Sequence, residues 1–426
     1  MSPEQRPRFY GWYIAGCCLV VFFFTNGLSL YVPQNLFPRF METFGATPAE
    51  VSRTTAITFA LAGVIAPFVG ALIDRLGVVR VIRTGLIVLA LTFSAYPFAQ
   101  SLQHLYLLHA AIAVGLVFSG LMPNVVLLSN WFVTRRGTVV GLLVAGSSLA
   151  GAILPVSIAS LVNDPALGWR VGFGVLAAAF WLCAVLPGFL VLRESPRVVG
   201  QFPDGAASAP SGSTDSEAPR EGVPFAEALR SRTLWCLAIG SASIWFSIQA
   251  ITSQFTIYLE QDAGFAPLNA TRLYSTLLAC SVAGKFLFGA ISDRYTKRNM
   301  MLVASTVLLI GCLQLFSLEG GVPGLTHDPT RLTLFAVVFG LGFGGSFTLI
   351  QLVAVESFGQ LALGRILGMI IFIDTMGGAA GTLLAGQIRT TSGDYFLSFS
   401  VVTVVAIIAV LNVLMIPAVK RSGSER

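Results

Sequence analysis

Charged residues are scarce in this sequence. Only 11% of its 426 residues are Asp, Glu, Lys or Arg, whereas an ordinary soluble chain carries about 25%. Hydrophobic residues make up 55% of the chain, and the mean hydropathy is +0.80. So few charges cannot cover the water-facing surface of a globular protein of this length. The shortage of charge therefore excludes the ordinary soluble classes and indicates a chain whose solvent is lipid.

Patterns that bind metals or activate nucleophiles are missing as well. Of the three histidines, His104 and His327 fall at connections and His109 near a helix end, and all six cysteines lie in apolar runs without metal-ligand spacing to a histidine. The sequence contains neither a phosphate-binding G-x-x-x-x-G-K-[ST] loop nor a nucleophile–base constellation. We therefore expect no metal, no cofactor and no enzymatic activity.

Long apolar runs are what the sequence has in abundance. A helix needs about 20 apolar residues to cross a hydrocarbon core of about 30 Å. The first run follows Arg6 and Arg8, and it is too long for the apolar part of a cleavable signal. We predict an all-α membrane protein with twelve transmembrane helices, at residues 10–35, 49–73, 79–98, 104–131, 137–162, 170–192, 233–258, 268–292, 299–318, 331–356, 363–388 and 395–418.

The positions of the basic residues predict the orientation of these spans. Of the 26 Lys and Arg residues, 19 lie on the side of the two termini, six lie on the other side, and Lys285 lies within a span. By the positive-inside rule, both termini are predicted to be cytoplasmic. The net charge of +6 is thus explained by membrane topology, and we expect no nucleic acid as partner.

A hydrophilic segment divides the chain in two. Residues 194–228 are rich in Ser, Ala, Gly, Pro and charge, which predicts a flexible cytoplasmic linker between a six-helix half at 1–193 and another at 229–426. The halves share an element: GALIDRLG ends span two, and GAISDRYTKR ends span eight. Duplicated halves are typical of secondary transporters, which bind their solute at the midplane between the halves.

With this repeat the chain resembles the transporters of the major facilitator superfamily, whose signature loop between spans two and three is similar to G-x-x-x-D-R-x-G. The resemblance implies the major facilitator fold and alternating access. The gating residues that we predict are Gly70, Asp74 and Arg75 in the loop and Gly289, Asp293 and Arg294 in its copy. They would form a salt-bridge latch between the halves. Topology anchoring would explain the two arginines, but it would not explain the recurring Asp and Gly.

The segments RFYGWYIAG, GLMPNVVLLSNWF and GKFLFGAISDR resemble bacterial relatives of monocarboxylate porters and oxalate/formate antiporters. This resemblance implies a bacterial cytoplasmic membrane, a small organic anion as substrate, and a basic residue in span eight, here Lys285, that binds its carboxylate. Three positions depart from the pattern. Gln34 and Ser281 stand where monocarboxylate porters carry a Lys and an acidic residue, and Asp374 stands where oxalate/formate antiporters carry a basic one.

Lys285 and Asp374 are the two formal charges deep within spans. Counted from the helix ends, they lie about 12 and 13 Å inside. A charge there costs at least about 2.5–3.5 kcal/mol and needs a partner, so we expect the two side chains to pair. The pair could hold spans eight and eleven together. Alternatively, Lys285 attracts a carboxylate, while Asp374 exchanges a proton or releases Lys285 when substrate arrives.

Other polar residues lie deep in the spans that line the central cavity in the superfamily. As substrate-binding candidates the sequence offers Asn26, Asn124, Gln249, Gln254 and Gln351. The alternative is that they join helices, at about 0.6 kcal/mol for each hydrogen bond.

The sequence as a whole predicts a monomeric secondary transporter of a small organic anion, most simply a monocarboxylate, in the lipid bilayer, with protons as one option for the coupling ion. A transporter of a larger aromatic or amphipathic solute, for uptake or efflux, is the alternative. Its support is the aromatic content of spans one and seven, including Phe22, Phe23, Phe24, Trp245 and Phe246. A transport-derived sensor, which binds without moving solute, is a third possibility.

Overall fold

The computed structural model describes residues 9–206, 222–319, 322–359 and 361–417. The principal helices of these residues are α1 (Gly11–Asn35), α2 (Pro48–Leu76), α3 (Val78–Phe98), α4 (Leu102–Trp131), α5 (Arg136–Val162), α6 (Gly168–Leu190), α7 (Arg232–Asp262), α8 (Pro267–Ile291), α9 (Lys297–Leu313), α10 (Pro329–Phe358), α11 (Leu363–Ser392) and α12 (Phe396–Leu414). Shorter elements are the helices Phe37–Phe44 and Phe225–Arg230 and the antiparallel strands β1 (Phe316–Glu319) and β2 (Val322–Leu325).

The helix bounds agree closely with the predicted spans. Eleven of the principal helices are long and apolar enough to cross a membrane. The exception is α9, which has 17 residues and therefore a length of about 26 Å. Residues 316–318 of the predicted ninth span belong instead to the hairpin β1–β2, which the sequence did not predict. The all-α membrane fold is confirmed, while the count of twelve spans stays a prediction.

Local chemistry explains where several helices begin. Thr47 and Glu50 form a capping box at the start of α2, each side chain accepting a hydrogen bond from the other's backbone N–H. Three more helices begin at a residue whose side chain accepts a hydrogen bond from a backbone N–H of the first turn: Ser101 at α4, Ser231 at α7 and Asp328 at α10. Each cap satisfies backbone donors that have no partner within the helix.

The helix bundle has two ends, which we call the terminal end and the distal end. The terminal end is the end at which α1 begins and α12 ends, and the α2–α3 and α8–α9 connections lie there too. The distal end holds the α1–α2 connection at 36–47 and the α7–α8 connection at 263–266. Contacts between the first six helices and the last six run mainly along two pairs, α2 with α11 and α5 with α8. These pairs frame the region in which Lys285 and Asp374 lie.

The segment predicted as a flexible linker is folded at both described ends. Residues 196–206 pack at the terminal end, where Gln201 Oε1 accepts from Tyr10 N at 2.9 Å and Asp204 Oδ2 accepts from Val133 N and Thr134 N. Burial raises the pKa of Asp204, but these amide donors outweigh burial and hold the pKa below its ordinary value. The helix Phe225–Arg230 forms the other end. Polar side chains thus anchor residues 196–206, residues 207–221 lie outside the described residues, and the flexibility of the linker stays a prediction.

Candidate substrate site

Lys285 lies where three helices meet. Its side chain projects from α8 and is only 6% exposed. Nζ donates a hydrogen bond to the backbone oxygen of Val144 in α5, at 3.0 Å. On α10, the Phe347 ring has its centroid 4.6 Å from Nζ, within the range of a cation–π contact. The ammonium therefore faces the contact between the first six and the last six helices and is not turned toward lipid.

A close helix crossing puts the Phe347 ring beside the ammonium. A Cβ atom on Gly344 of α10 would lie 2.7 Å from the backbone nitrogen of Lys285, so only glycine lets the two backbones approach this far. Phe347 follows Gly344 by three residues and so lies on the same face of α10. The crossing of α8 and α10 thus positions both the cation and its aromatic neighbour.

Aromatic side chains extend the site from α10 to α7. The rings of Phe347 and Trp245 meet edge to face at 5.6 Å, and Trp245 also contacts Phe343 at 6.4 Å. Phe347 and Trp245 are half-buried, whereas Phe343 is buried. Two of these rings therefore offer an apolar surface next to a hydrogen-bonding cation.

Asp374 has a different partner from the predicted one. Its side chain is 4% exposed, and Oδ1 accepts a hydrogen bond from the hydroxyl of Ser241 in α7 at 2.6 Å. No ion pair joins Asp374 to Lys285 among the described residues, so the predicted direct pair is wrong for this structure. The physical reason is helix rotation. Asp374 lies on the face of α11 that packs on α7, while Lys285 points to α5.

The polar candidates separate into two groups. Asn26 donates to Phe22 O in its own helix, and Asn124 donates to Ser119 O and Gly120 O, where it stabilises a break in α4. Both therefore satisfy backbone groups here. Gln351 on α10 is half-buried and forms no hydrogen bond within the part of the chain that the structure describes. Of the five, Gln351 keeps its amide free for a solute.

Gln249 and Gln254 belong to a polar cluster that closes the distal end, which we call the distal clasp. Its hydrogen bonds join Gln34 Nε2 to Gln249 Oε1 at 3.1 Å and Gln254 Nε2 to Ser52 Oγ at 2.7 Å. The other members are Asn35, Thr256, Thr271 and Tyr274, together with an ion pair between Arg39 and Glu260. The clasp connects α1 and α2 with α7 and α8. Sequence reasoning singled out Gln249 and Gln254 but missed the residues that they meet.

The predicted latch at the terminal end is not formed. Asp74, Arg75 and Arg294 are exposed, and the one ion pair of Asp293 among the described residues is with Lys297, four residues later at the start of α9, at 3.7 Å. Within the described ranges, no hydrogen bond or ion pair joins these loops across the bundle. The structure is thus closed at the distal end, and the gating loops are apart at the terminal end.

The two predicted gating loops differ in backbone conformation. Gly77 has φ +84 and ψ 148, a region essentially limited to glycine. Its neighbours Val78 N and Val79 N donate to the carboxylate of Glu194, which thereby caps α3. Thr296 stands at the corresponding position of the second loop with φ −66. Gly70 and Gly289 are less constrained, since a Cβ atom there would meet only a side-chain carbon at 3.5 and 3.8 Å.

The described residues contain no cluster of His, Cys, Asp and Glu that could hold a metal ion. His109 instead joins three helices, with Nδ1 at 2.8 Å from Thr58 Oγ1 and Nε2 at 2.9 Å from the Tyr96 hydroxyl. This buried network is a structural use of the histidine that the sequence did not predict.

Comparisons with known proteins agree with this architecture. The family model of the Major Facilitator Superfamily matches residues 17–382, with a second match at 272–425. Monocarboxylate transporter 13 of Rattus norvegicus is 27% identical over 92% of this chain and 85% of its own length. The agnestins efflux protein AgnL12 of Paecilomyces divaricatus is 25% identical over 77% of this chain and 69% of its own length.

A likeness to a solved structure extends over nearly the whole chain. A bacterial homologue of the human lysosomal transporter Spinster, in an inward-facing and unoccupied conformation, superposes with a TM-score of 0.71 over 96% of this chain and 95% of its own. At 18% sequence identity, this likeness shows the fold alone.

Proposed function

Since this chain belongs to the Major Facilitator Superfamily, we propose that it is a secondary active transporter of a small organic anion, a monocarboxylate in the leading case. That it is a membrane transporter and not an enzyme follows from the family. The proposal concerns its cargo and mechanism. The carrying observation is the buried Lys285 ammonium, which donates to one backbone carbonyl and has no carboxylate partner among the described residues.

Electrostatics favours an anion at this position. Desolvating an ammonium is costly unless a counter-charge or several acceptors surround it. The Val144 carbonyl and the Phe347 ring compensate part of that cost, and a substrate carboxylate would compensate more. A lysine offers a compact point charge with three donors, which suits a single carboxylate better than a rigid dicarboxylate clamp.

In this mechanism the helices α1–α6 and α7–α12 act as two halves that rock about the bound anion. Lys285 joins them through Val144 of α5, so an arriving carboxylate competes with that carbonyl and changes a contact between the halves. Gln351 on α10 is the amide best placed to add a hydrogen bond to the solute. By the positive-inside rule we place both termini in the cytoplasm of a bacterial cell, so the distal end faces outward.

The decisive experiment is uptake of a radiolabelled carboxylate panel by the full chain in proteoliposomes, with an imposed pH gradient. We expect Lys285→Ala to reduce uptake by about tenfold or more, because about 1.4 kcal/mol of lost binding is a factor of ten. Lys285→Arg should retain part of the uptake, since it keeps the charge. Arg272→Ala, at the exposed start of the same helix, is the control. Normal uptake by Lys285→Ala would refute the site.

A larger aromatic solute is the second candidate, and a specific contact favours it. The half-buried pair Phe347 and Trp245 lies directly beside Lys285 and could receive a planar apolar body. One of the relatives described above is an efflux protein. A competition assay separates the two candidates. It compares how strongly lactate-sized carboxylates and aryl carboxylates inhibit the uptake of radiolabelled pyruvate. A sensor, by contrast, would show no counterflow with any of them.

A further inference from the structure

We propose that Asp374 and Ser241 form the proton-binding site that couples transport to a proton gradient, separate from the anion site at Lys285. The inference rests on the proposed function for the identity of the cargo. Its proton-binding part can be tested without any cargo. It concerns which residue of this chain takes up the proton.

The environment of Asp374 is the first observation. One carboxyl oxygen, Oδ1, accepts from Ser241 Oγ, and this is the one hydrogen bond that the carboxyl forms within the described residues. Among the described residues, no positive side chain forms a hydrogen bond or ion pair with this carboxyl, and the Ser241 hydroxyl is its one hydrogen-bond donor. A buried carboxylate without a cation is so costly that it binds a proton instead. Oδ2 is then the oxygen that carries the hydrogen.

The surrounding helices supply no other titratable group at this level. Helices α2, α7, α10 and α12 contact α11. Their charged residues lie near helix ends, and α12 has none from Phe396 to Leu414; they are Glu50, Arg53, Asp74, Arg75, Arg232, Glu260, Asp262, Arg331 and Glu356. Cys236 lies in α7 five residues before Ser241. On α8, Lys285 is bound to Val144 of α5 and does not pair with Asp374.

The position of Asp374 beside a contact between the first six and the last six helices is the second observation. The next two residues, Thr375 and Met376, approach Gly63 of α2. A Cβ atom on Gly63 would lie only 2.6 Å from Met376 Cε. On the adjacent face, Gly377 and Gly381 hold α11 close to the backbone of α7. In the rocking motion that we propose, Asp374 therefore stays with Ser241 of α7 while α2 shifts against α11. If water reaches Asp374 along that contact in one conformation and not in the other, the affinity of Asp374 for a proton differs between the outward-open and inward-open conformations. Such a difference is the requirement for coupling.

A chain of contacts connects the two sites without merging them. From Lys285 the path runs through Phe347 to Trp245, and Ser241 lies one helical turn before Trp245 on the same face of α7. A solute seated on the aromatic pair would thus lie between the cation and the proton-binding carboxyl. The carboxylate of the solute would neutralise Lys285, and a proton would neutralise Asp374. The two charges are thus compensated before the conformational change without a direct bond between the two residues.

Infrared difference spectroscopy of the purified full chain, titrated with pH, tests the proton-binding claim without substrate. We expect a C=O stretching band of a protonated carboxylic acid that is present in the wild type and absent in Asp374→Asn. Glu356→Gln, a half-buried carboxyl near the terminal end of α10, should keep the band. The same band in Asp374→Asn, or no such band in the wild type, would overturn the assignment.

Transport in proteoliposomes tests the coupling, with radiolabelled pyruvate and benzoate as probes. Exchange of loaded carriers does not require release of the proton, whereas net accumulation does. We therefore expect Asp374→Asn to lose accumulation driven by an imposed pH gradient by about tenfold or more while counterflow stays within about threefold. Lys285→Ala should lose both activities. Gradient-driven accumulation by Asp374→Asn at the wild-type level would refute coupling at this residue.

A second variant keeps the test valid if Asp374→Asn does not fold. Ser241→Ala removes the one donor to the carboxylate and leaves the acid in place. Because this hydrogen bond acts directly on the proton-binding carboxyl, its loss should shift the midpoint of the pH profile of uptake and of the infrared titration. An unchanged midpoint in both measurements would contradict the site. If Lys285→Ala transported normally while these shifts were observed, the anion site would be refuted and the proton site would stand.

Discussion

Lys285 illustrates how a single buried charge acquires its surroundings. The cation is met by a carbonyl from α5 and a ring from α10, which are neutral groups. Neither replaces a full counter-charge, so the site is only partly compensated when empty. Phe347 and Trp245 then decide which apolar body can accompany the carboxylate.

Replacing Phe347 should change selectivity more than it changes transport as such. In Phe347→Ala, the ring beside the ammonium and half of the aromatic pair are lost, contacts worth about 1 kcal/mol each. We expect the apparent affinity for benzoate to fall by about tenfold, and that for pyruvate to change much less, in competition assays. Phe286→Ala is a matched control, since Phe286 neighbours Lys285 in α8 but is 54% exposed. Equal losses for both solutes would contradict an aromatic subsite.

At the scale of elements, glycines and caps decide how helices meet and turn. Gly344 brings α10 against α8, and without that approach the Phe347 ring would not reach Lys285. In the α2–α3 connection, Gly77 turns the chain so that the Glu194 carboxylate can accept two amides at the start of α3. The second copy has Thr296, whose φ of −66 suits any residue. The two copies of the loop therefore differ in sequence, Gly77 against Thr296, at the position where their backbone conformations differ.

Gly77→Ala should therefore destabilise the protein. A side chain at φ +84 and ψ 148 costs about 1–3 kcal/mol, and its Cβ atom would also lie 3.2 Å from Glu194 Oε1. We expect a lower midpoint of thermal unfolding in detergent. In Gly141→Ala, the new methyl group meets nothing within 4 Å and lies inside α5, so the midpoint should be unchanged or higher. Equal midpoints for Gly77→Ala and the wild type would show that the turn tolerates a side chain.

At the scale of the whole molecule, the two ends of the bundle are in opposite states. The distal clasp joins helices from both sides of the 194–228 segment, while no hydrogen bond or ion pair joins the α2–α3 and α8–α9 loops at the terminal end across the bundle among the described residues. The loop residues Asp74 and Arg75, with Asp293 and Arg294, remain our proposal for a latch that forms when the terminal end closes. In that transition the clasp must open, because solute cannot reach both ends at once.

Weakening the clasp should shift the population toward a conformation open at the distal end. Arg39→Gln removes one partner of the ion pair with Glu260, and hydrogen bonds to charged groups contribute about 1.5–3 kcal/mol. We expect hydrogen–deuterium exchange to rise by roughly tenfold in peptides covering residues 31–40 and 254–262. Arg272→Gln, an exposed arginine at the same end, serves as control. Unchanged exchange in Arg39→Gln would show that the ion pair does not hold the end closed.

The sequence determined the class of the protein, the bounds of its helices and the depth of its two buried charges. These follow from composition and run length, since a helix in lipid must satisfy its own backbone and be apolar over a known distance. The family resemblance, carried by the G-x-x-x-D-R-x-G element, was confirmed.

The tertiary structure alone decided which faces of the helices meet. Spans that are apolar nearly all round show no period from which rotation could be read, so the partners of Lys285 and Asp374 stayed open. The distal clasp pairs residues as far apart as Gln34 and Gln249, which are 215 positions apart in sequence. Hydrophobicity places a residue at a depth in the membrane, but close packing among small residues sets its lateral neighbours. Function at this site depends on both.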